Sequence, residues 1–573
     1  MLKNYLTPYR RQVAIGVSFK LVEVVFDLLT PLVVAHMIDV GVRDHDAHTV
    51  IASGALLIVF ALIGWSFTMV CQRMAALVSQ GVGTQLRKDL FERTHELSAQ
   101  QVDAIGAPAL ITRITNDVNQ IQVAIALGIR QLVRFPLIAL GAMISALLID
   151  WHLGLIFLAC TPLIGVIFFL VMSRSVPLFQ RMQQLLDSIS TIGREALSGV
   201  RVIRAFRREA DEKRRFSNTA TQQADTAILV GKLSALLNPS TFLVMNLGIV
   251  AILWAGGIRV DAGQLTQGEV MAFVNYMMQT LTSVAYIANL VVVFTRASAS
   301  VGRIAEVIDT SSNLQEHTRD TLELDPAAPI LELSHVSFNY AGTSTQALTD
   351  VTLTLMPGQT LGVIGGTGSG KSTLAHLLVR LYDASSGTVK LFGHNVQDYS
   401  FNQLRALVSF VPQHTSLLSG SIRSNLLWRD PHADDQKLWA ALEDAQAKDF
   451  VARLKAGLDA PVEAGGKNFS GGQRQRLTIA RALVGNPRLC VLDDAASTLD
   501  FKTDAHLRAA LLKKSQQMST VVISQRVSAI MHADLIVVLD HGRVAGIGTH
   551  EELLKHSSLY QEIVSSQLEG EAA

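Results

Sequence analysis

Of 573 residues, 49% are hydrophobic and only 17% charged, and the mean hydropathy is +0.32, which excludes a single soluble domain and points to membrane spans. Lys and Arg number 49 against 48 Asp and Glu, a net charge of +1, so nothing in the balance points to nucleic acid as a partner. The three cysteines, Cys71, Cys160 and Cys490, lie far apart, form no ligand pair or disulfide framework, and read as small buried apolar residues.

The apolar excess lies ahead of residue 300. The basic start, "MLKNYLTPYRRQ", is followed by no short apolar core with a small-residue cleavage site, so the first apolar segment reads as a retained anchor. A helix needs about 20 mainly apolar residues to cross a bilayer. Six segments qualify, near 13–36, 51–79, 129–150, 152–174, 238–258 and 267–295. Three connections, "VGVRDHDAHT", "DWH" and "RVDAGQLTQGE", are short. The other two, 80–128 and 175–237, are long, polar and helical in pattern, and they hold Arg87, Arg93, Arg113, Arg194, Arg201, Arg204, Arg207 and Arg208. Positive charge stays in the cytosol, so both termini and both arms are expected there.

In the first span, "VSFKLVEVVFDLL" places Lys20, Glu23 and Asp27 on one helical face. Charges at membrane depth line a transport path or join an interhelical ion-pair cluster. Asp39, at the outer end of this span, belongs to an external gate or to an exposed helix end. In the last span, Phe273, Tyr276, Met277 and Gln279 suit a tolerant apolar binding wall, and equally suit helix packing.

Residues 1–308 therefore form a transmembrane domain, 309–329 a polar linker, and 330–573 a second domain. There, the strand-like "TLGVI" leads into "GGTGSGKST", Gly365, Gly366, Thr367, Gly368, Ser369, Gly370, Lys371, Ser372 and Thr373, and then into the helical "LAHLLVRLY". This is a phosphate-binding loop in its strand–loop–helix setting. Glycines turn backbone amides toward phosphate oxygens, Lys371 reaches the β- and γ-phosphates, and the Ser372 hydroxyl ligates magnesium. The apolar "LCVLDD" ends in Asp493, placed to hold the magnesium shell through water. In "NFSGGQRQRLTIARALV", Ser470, Gly471 and Gly472 open a helix and offer a second anion site. One phosphate loop with two anion sites suggests nucleotide domains paired head to tail, each signature serving the other's nucleotide.

A phosphate loop, "VPQ" around Gln413, "FSGGQ" (Phe469 to Gln473), "LDD" and "STLD" together resemble an ABC-transporter ATPase domain. With six spans ahead of it, the whole chain resembles an ABC exporter half-transporter: a six-helix all-α transmembrane domain followed by an α/β ATPase domain. "GVRVIRAFRRE" and "RASASVGRIAEV" fit the same family's second arm and last-span end. The resemblance implies ATP and magnesium as cofactors and a bacterial inner-membrane location with the ATPase domain cytoplasmic. It implies that Tyr340 stacks on adenine and that Gln413 senses magnesium and the γ-phosphate. Ser497 and Asp500 of "STLD" would lie against the partner's ATP site. Glu463 would meet the arms, and segments near 101–108 and 200–207 would be coupling helices.

Two positions depart from the pattern. Family members that hydrolyse efficiently carry Glu where this chain has Asp494, and His in the switch where it has Gln525. The Asp494 carboxylate is shorter by one methylene, about 1.5 Å, and misplacements of about 1 Å can cost roughly 100-fold in rate. Glutamine donates a hydrogen bond but cannot become cationic. The combination resembles the catalytically degenerate subunit of heterodimeric bacterial multidrug exporters. That subgroup implies a partner half-transporter with intact Glu and His, surrounding membrane lipids, and a hydrophobic drug or lipid as cargo. A slow homodimeric ATP-gated regulator or lipid flippase is the alternative.

Overall fold

The computed structural model describes residues 1–314, 321–340, 343 and 345–572, so the linker expected at 309–329 lies partly outside the described residues. The chain divides into two compact units. The first comprises Met1–Arg93 and Pro108–Asp309, and the second Thr94–Ala107 and Thr310–Ala573.

The first unit is built from six helical spans: α1 (Leu2–Val42), α2 (Ala47–Glu96), α3 (Ala107–Ile149), α4 (Trp151–Ser198), α5 (Glu209–Asp261) and α6 (Gln267–Asp309). Each expected segment overlaps one of these helices, the third, 129–150, running one residue past Ile149. The helices are far longer than a bilayer requires. At 1.5 Å per residue, the 53 residues of α5 reach about 80 Å, against a hydrocarbon core of about 30 Å. The surplus consists of the polar arms. α4 packs mainly along α5, while α6 packs on α1 and α3. A core of Ala142, Phe157, Ile252, Phe273, Tyr276 and Met277 holds them together. Large apolar side chains such as Phe169 and Trp254 point outward, as lipid-facing helices require.

The second unit contains β1 (Leu331–Phe338), β2 (Leu348–Leu355), β3 (Thr360–Gly365), β4 (Ser386–Leu391), β5 (His394–Asn395), β6 (Val408–Val411), β7 (Gly420–Ser421), β8 (Pro461–Val462), β9 (Leu489–Asp493), β10 (Ser519–Ile523), β11 (Leu535–Asp540) and β12 (Arg543–Gly548). The order β2-β1-β4-β5 makes an antiparallel sheet, and β12-β11-β3-β10-β9-β6 a second sheet that is parallel except at its β12 edge. The central strands are mostly apolar and buried because other elements pack on both of their faces. All five residues of β9 are buried, and burial pushes the Cys490 thiol up to about 11, which marks it as an inert packing group. Five helices matter for the site: α7 (Lys371–Leu378), α8 (Gly471–Leu483), α9 (Phe501–Lys513), α10 (Val527–Ile530) and α11 (Ser558–Ala572).

The second unit also claims Thr94–Ala107, the tip of the first arm. There Ser98 and Gln101 cap the short helix Ala99–Ile105 reciprocally. Gln101 donates to the Ser311 carbonyl at 2.7 Å, and the Tyr382 hydroxyl donates to the Asp103 carboxylate at 3.2 Å. Chain order alone assigns this tip to the transmembrane domain; its hydrogen bonds assign it elsewhere.

Candidate nucleotide site

Strand register builds the site. In the parallel sheet, Val363 of β3 and Asp493 of β9 both lie opposite Ile523 of β10, and Val411 of β6 lies opposite Leu492. The loops leaving these strands therefore emerge at one level along the carboxyl edge, where α/β sheets bind ligands. They enclose a cavity of about 350 Å³ lined by Thr367–Thr373, Gln413, Asp493, Asp494 and Gln525, with Tyr340 at its side.

Gly370 has φ +98°, and a Cβ there would meet the Ala347 carbonyl at 2.6 Å, so only glycine fits this turn into α7. Lys371 follows it. Its ammonium donates to the carbonyls of Gly365 and Gly366 at 2.9 and 2.6 Å and to Ser369 Oγ at 3.3 Å. Burial holds that ammonium below the usual lysine range, against the opposing pull of Asp493 and Asp494. Ser372 Oγ donates to Asp493 Oδ1 at 3.2 Å. Burial raises the Asp493 carboxyl, while Ser372, His376 and Lys371 pull it down. A hydroxyl and a carboxylate at this separation, with the Gln413 amide on the same wall, are hard oxygen donors that fit magnesium.

Asp494 sits at φ +46°, which turns the chain sharply off β9, and its N–H donates to the Ile523 carbonyl at 2.9 Å. Burial and then the neighbouring Asp493 raise its carboxyl; Arg526 and a hydrogen bond from Gln413 oppose them. Tyr340 meets Thr373 Oγ1 at 3.0 Å through its hydroxyl, and its ring lies edge-to-face with Phe338 and Tyr382.

The residues Phe469 to Gln473 do not line this cavity. Ser470 Oγ accepts from the Gln473 N–H at 3.3 Å, and Gln473 Oε1 accepts from the Ser470 N–H at 2.9 Å, so the two form the capping box of α8. Gly471 and Gly472 make up its first turn, and Phe469 is buried beside Phe450. Asp500 caps α9 by accepting from the Thr503 N–H at 2.9 Å. Glu463 is exposed, as is the short helix Val200–Ala205 in the first unit.

Two residues escaped the sequence reading. Gln475, 1% exposed on α8, donates to the Asp494 carbonyl at 3.4 Å and accepts from the Thr498 N–H at 3.2 Å, tying the signature helix to the loop after β9. Arg526 donates to the Ser497 carbonyl at 2.6 Å, tying the switch to the same loop. A glutamine and an arginine beside recognised motifs carry no periodic or spacing signal of their own.

In the first unit, Lys20 and Glu23 are both 5% exposed and paired at 2.6 Å, and Arg134 of α3 pairs with Asp27 at 3.0 Å. These charges are therefore paired with one another in this structure. Tyr276 and Met277 are fully buried among the helices, and the Tyr276 hydroxyl donates to the Leu28 carbonyl at 2.6 Å. Gln279 donates to the Asp27 carbonyl at 3.3 Å. Asp39 Oδ1 accepts from the Gly268 N–H at 2.7 Å, at the first turn of α6.

Residues 13–284 match the ABC transporter transmembrane region family, and 348–497 match the ABC transporter family. An uncharacterized ABC transporter ATP-binding protein of Mycobacterium tuberculosis (strain CDC 1551 / Oshkosh) is 37% identical over 99% of this chain and 98% of that protein. The ATP-dependent lipid A-core flippase of Pseudomonas syringae pv. tomato is 32% identical over 85% of this chain and 81% of that protein. A bacterial Atm1-family ABC exporter solved with ATP bound shares the fold, with a TM-score of 0.80 over 97% of this chain and 98% of that one, at 23% identity. The chain belongs to the ABC transporter family, as a multi-pass half-transporter of the exporter type that carries its own ABC ATPase domain.

Proposed function

We propose that this chain is the weakly hydrolysing half of a heterodimeric ATP-driven exporter in the bacterial inner membrane. One observation carries the reading. Asp494 and Gln525 line the same cavity as Lys371, Ser372 and Asp493, so the groups that bind triphosphate stand beside altered groups for activating water. Lys371 would leave its loop carbonyls for the β- and γ-phosphates. Tyr340 would stack on adenine, and Ser372, Gln413 and Asp493 would hold magnesium. When bound, that ion neutralises phosphate charge and fixes phosphate orientation. Asp494 would hold the attacking water too far back, and Gln525 would meet the γ-phosphate without a full charge.

Ser470 to Gln473 would complete the partner's site, with Ser497 and Asp500 against it. ATP then closes the two domains, the arms transmit closure to the spans, and the cargo path opens outward. Hydrolysis occurs mainly at the partner's site. The 32% identical relative named as a lipid A-core flippase favours a lipid among amphipathic cargoes.

The test is the ATPase and vesicle transport of the co-purified pair. Changing the partner's glutamate should abolish both, while Asp494→Ala in this chain should leave most activity. Equal losses from the two changes would reject the unequal-site reading.

A further inference from the structure

The C-terminal helix reaches the switch. Tyr560, Ile563 and Val564 of α11 share an apolar cluster with Val527 and Ile530 of α10, the helix that follows the switch. One turn further along α11, the Gln567 side chain makes two hydrogen bonds. Its Nε2 donates to the Gln525 carbonyl at 2.7 Å, and its Oε1 accepts from the Val527 N–H at 2.8 Å. The amide thus spans residues 525 to 527, with Arg526 between its contacts. Arg526 is tied on its other side to the Ser497 carbonyl, and Ser524 Oγ accepts from its N–H at 3.0 Å. A strand end leads into the switch, so its backbone is fixed upstream; downstream, a four-residue helix is too short to hold itself rigid. The Gln567 amide adds two hydrogen bonds that span this junction.

We propose that Gln567 is a positioning residue that holds the switch backbone, so that the Gln525 side chain stays in the nucleotide cavity. The C-terminal helix thereby sets how long this chain's site retains ATP. The inference rests on the ATP-site reading above, but its first test does not require nucleotide.

That test compares hydrogen exchange of peptides covering 524–530 in the full chain in lipid nanodiscs, without nucleotide. Gln567→Ala should speed exchange of the Val527 amide roughly two- to tenfold, the range one net hydrogen bond allows. Gln567→Glu keeps the acceptor for Val527 but loses the donor to Gln525, so it should leave that amide protected. The second test measures release of fluorescent ATP with magnesium. Gln567→Ala should speed release about two- to tenfold, with the melting temperature unchanged. In a Gln525→Ala background, it should add nothing, because Gln567 acts through Gln525. Unchanged exchange in Gln567→Ala overturns the clamp. Equal acceleration of release in both backgrounds overturns its action through Gln525. If the wild-type chain retains no ATP, the nucleotide reading fails, and the exchange test still decides the clamp.

Discussion

Ser372 and Asp493, 121 residues apart in sequence, meet through one hydrogen bond of 3.2 Å. Neither is on the other's element; the parallel pairing of β3, β10 and β9 brings them together. Asp493 takes this donor because burial makes an unpartnered carboxylate costly there. Ser372→Ala should therefore weaken magnesium-dependent ATP binding about tenfold while leaving metal-free binding nearly intact. Titration calorimetry with and without magnesium checks this.

The same burial gives a pH dependence. Asp493 and Asp494 both hold protons to higher pH than ordinary carboxyls. Asp493 would hold magnesium only when ionised, so on the proposed reading the magnesium-dependent gain in affinity is present above its raised pKa and is lost as pH falls through it. In the nucleotide-free chain the sign is opposite for stability. The native state binds protons that the unfolded state has released, so these two groups cost stability as pH rises above the ordinary carboxyl range. Asp493→Asn should abolish the pH dependence of the magnesium effect, read by binding titrations from pH 5 to 8.

Asp39 joins the end of α1 to the start of α6 through the Gly268 N–H. A Cβ on Gly268 would sit 2.2 Å from the Ala35 carbonyl, so this approach requires glycine. Asp39→Ala should cost about 1 kcal/mol, as loss of a helix-capping acceptor does, and Gly268→Ala should cost at least as much. Thermal unfolding in nanodiscs measures both, and an unchanged melting temperature for either would show that the junction contributes no stability.

Ser470 caps α8 and does not line this chain's own cavity. Ser470→Ala should lower ATPase of the assembled pair at least tenfold while leaving this chain's own nucleotide retention unchanged. Retention falling in step with ATPase would place the signature at its own site.

Much of this was legible before any fold was known. The loop 365–373 and the acid pair 493–494 announce themselves because phosphate chemistry demands glycines, a lysine and a strand-end carboxylate in fixed local order. The six spans were legible because a bilayer imposes a length. Long-range partnerships were not. Nothing local in Asp103 points to Tyr382, and nothing in Gln475 or Gln567 points to the loops they bind. The spacing of Lys20, Glu23 and Asp27 puts them on one face, but the Arg134 that pairs with Asp27 lies on another helix. Tyr276 and Met277 suit wall and packing equally in sequence, and their burial among the helices depends on partners distant in the chain.

The claim that this site binds ATP but cleaves it slowly is tested most directly in the co-purified pair with the partner's glutamate changed, by comparing its ATPase with and without Asp494→Glu and Gln525→His in this chain. With the wild-type chain, turnover is expected to stay near that of the pair carrying Lys371→Ala while ATP is retained, and the double variant should hydrolyse at least tenfold faster. Robust turnover with the wild-type chain, unchanged in the double variant, would contradict the claim.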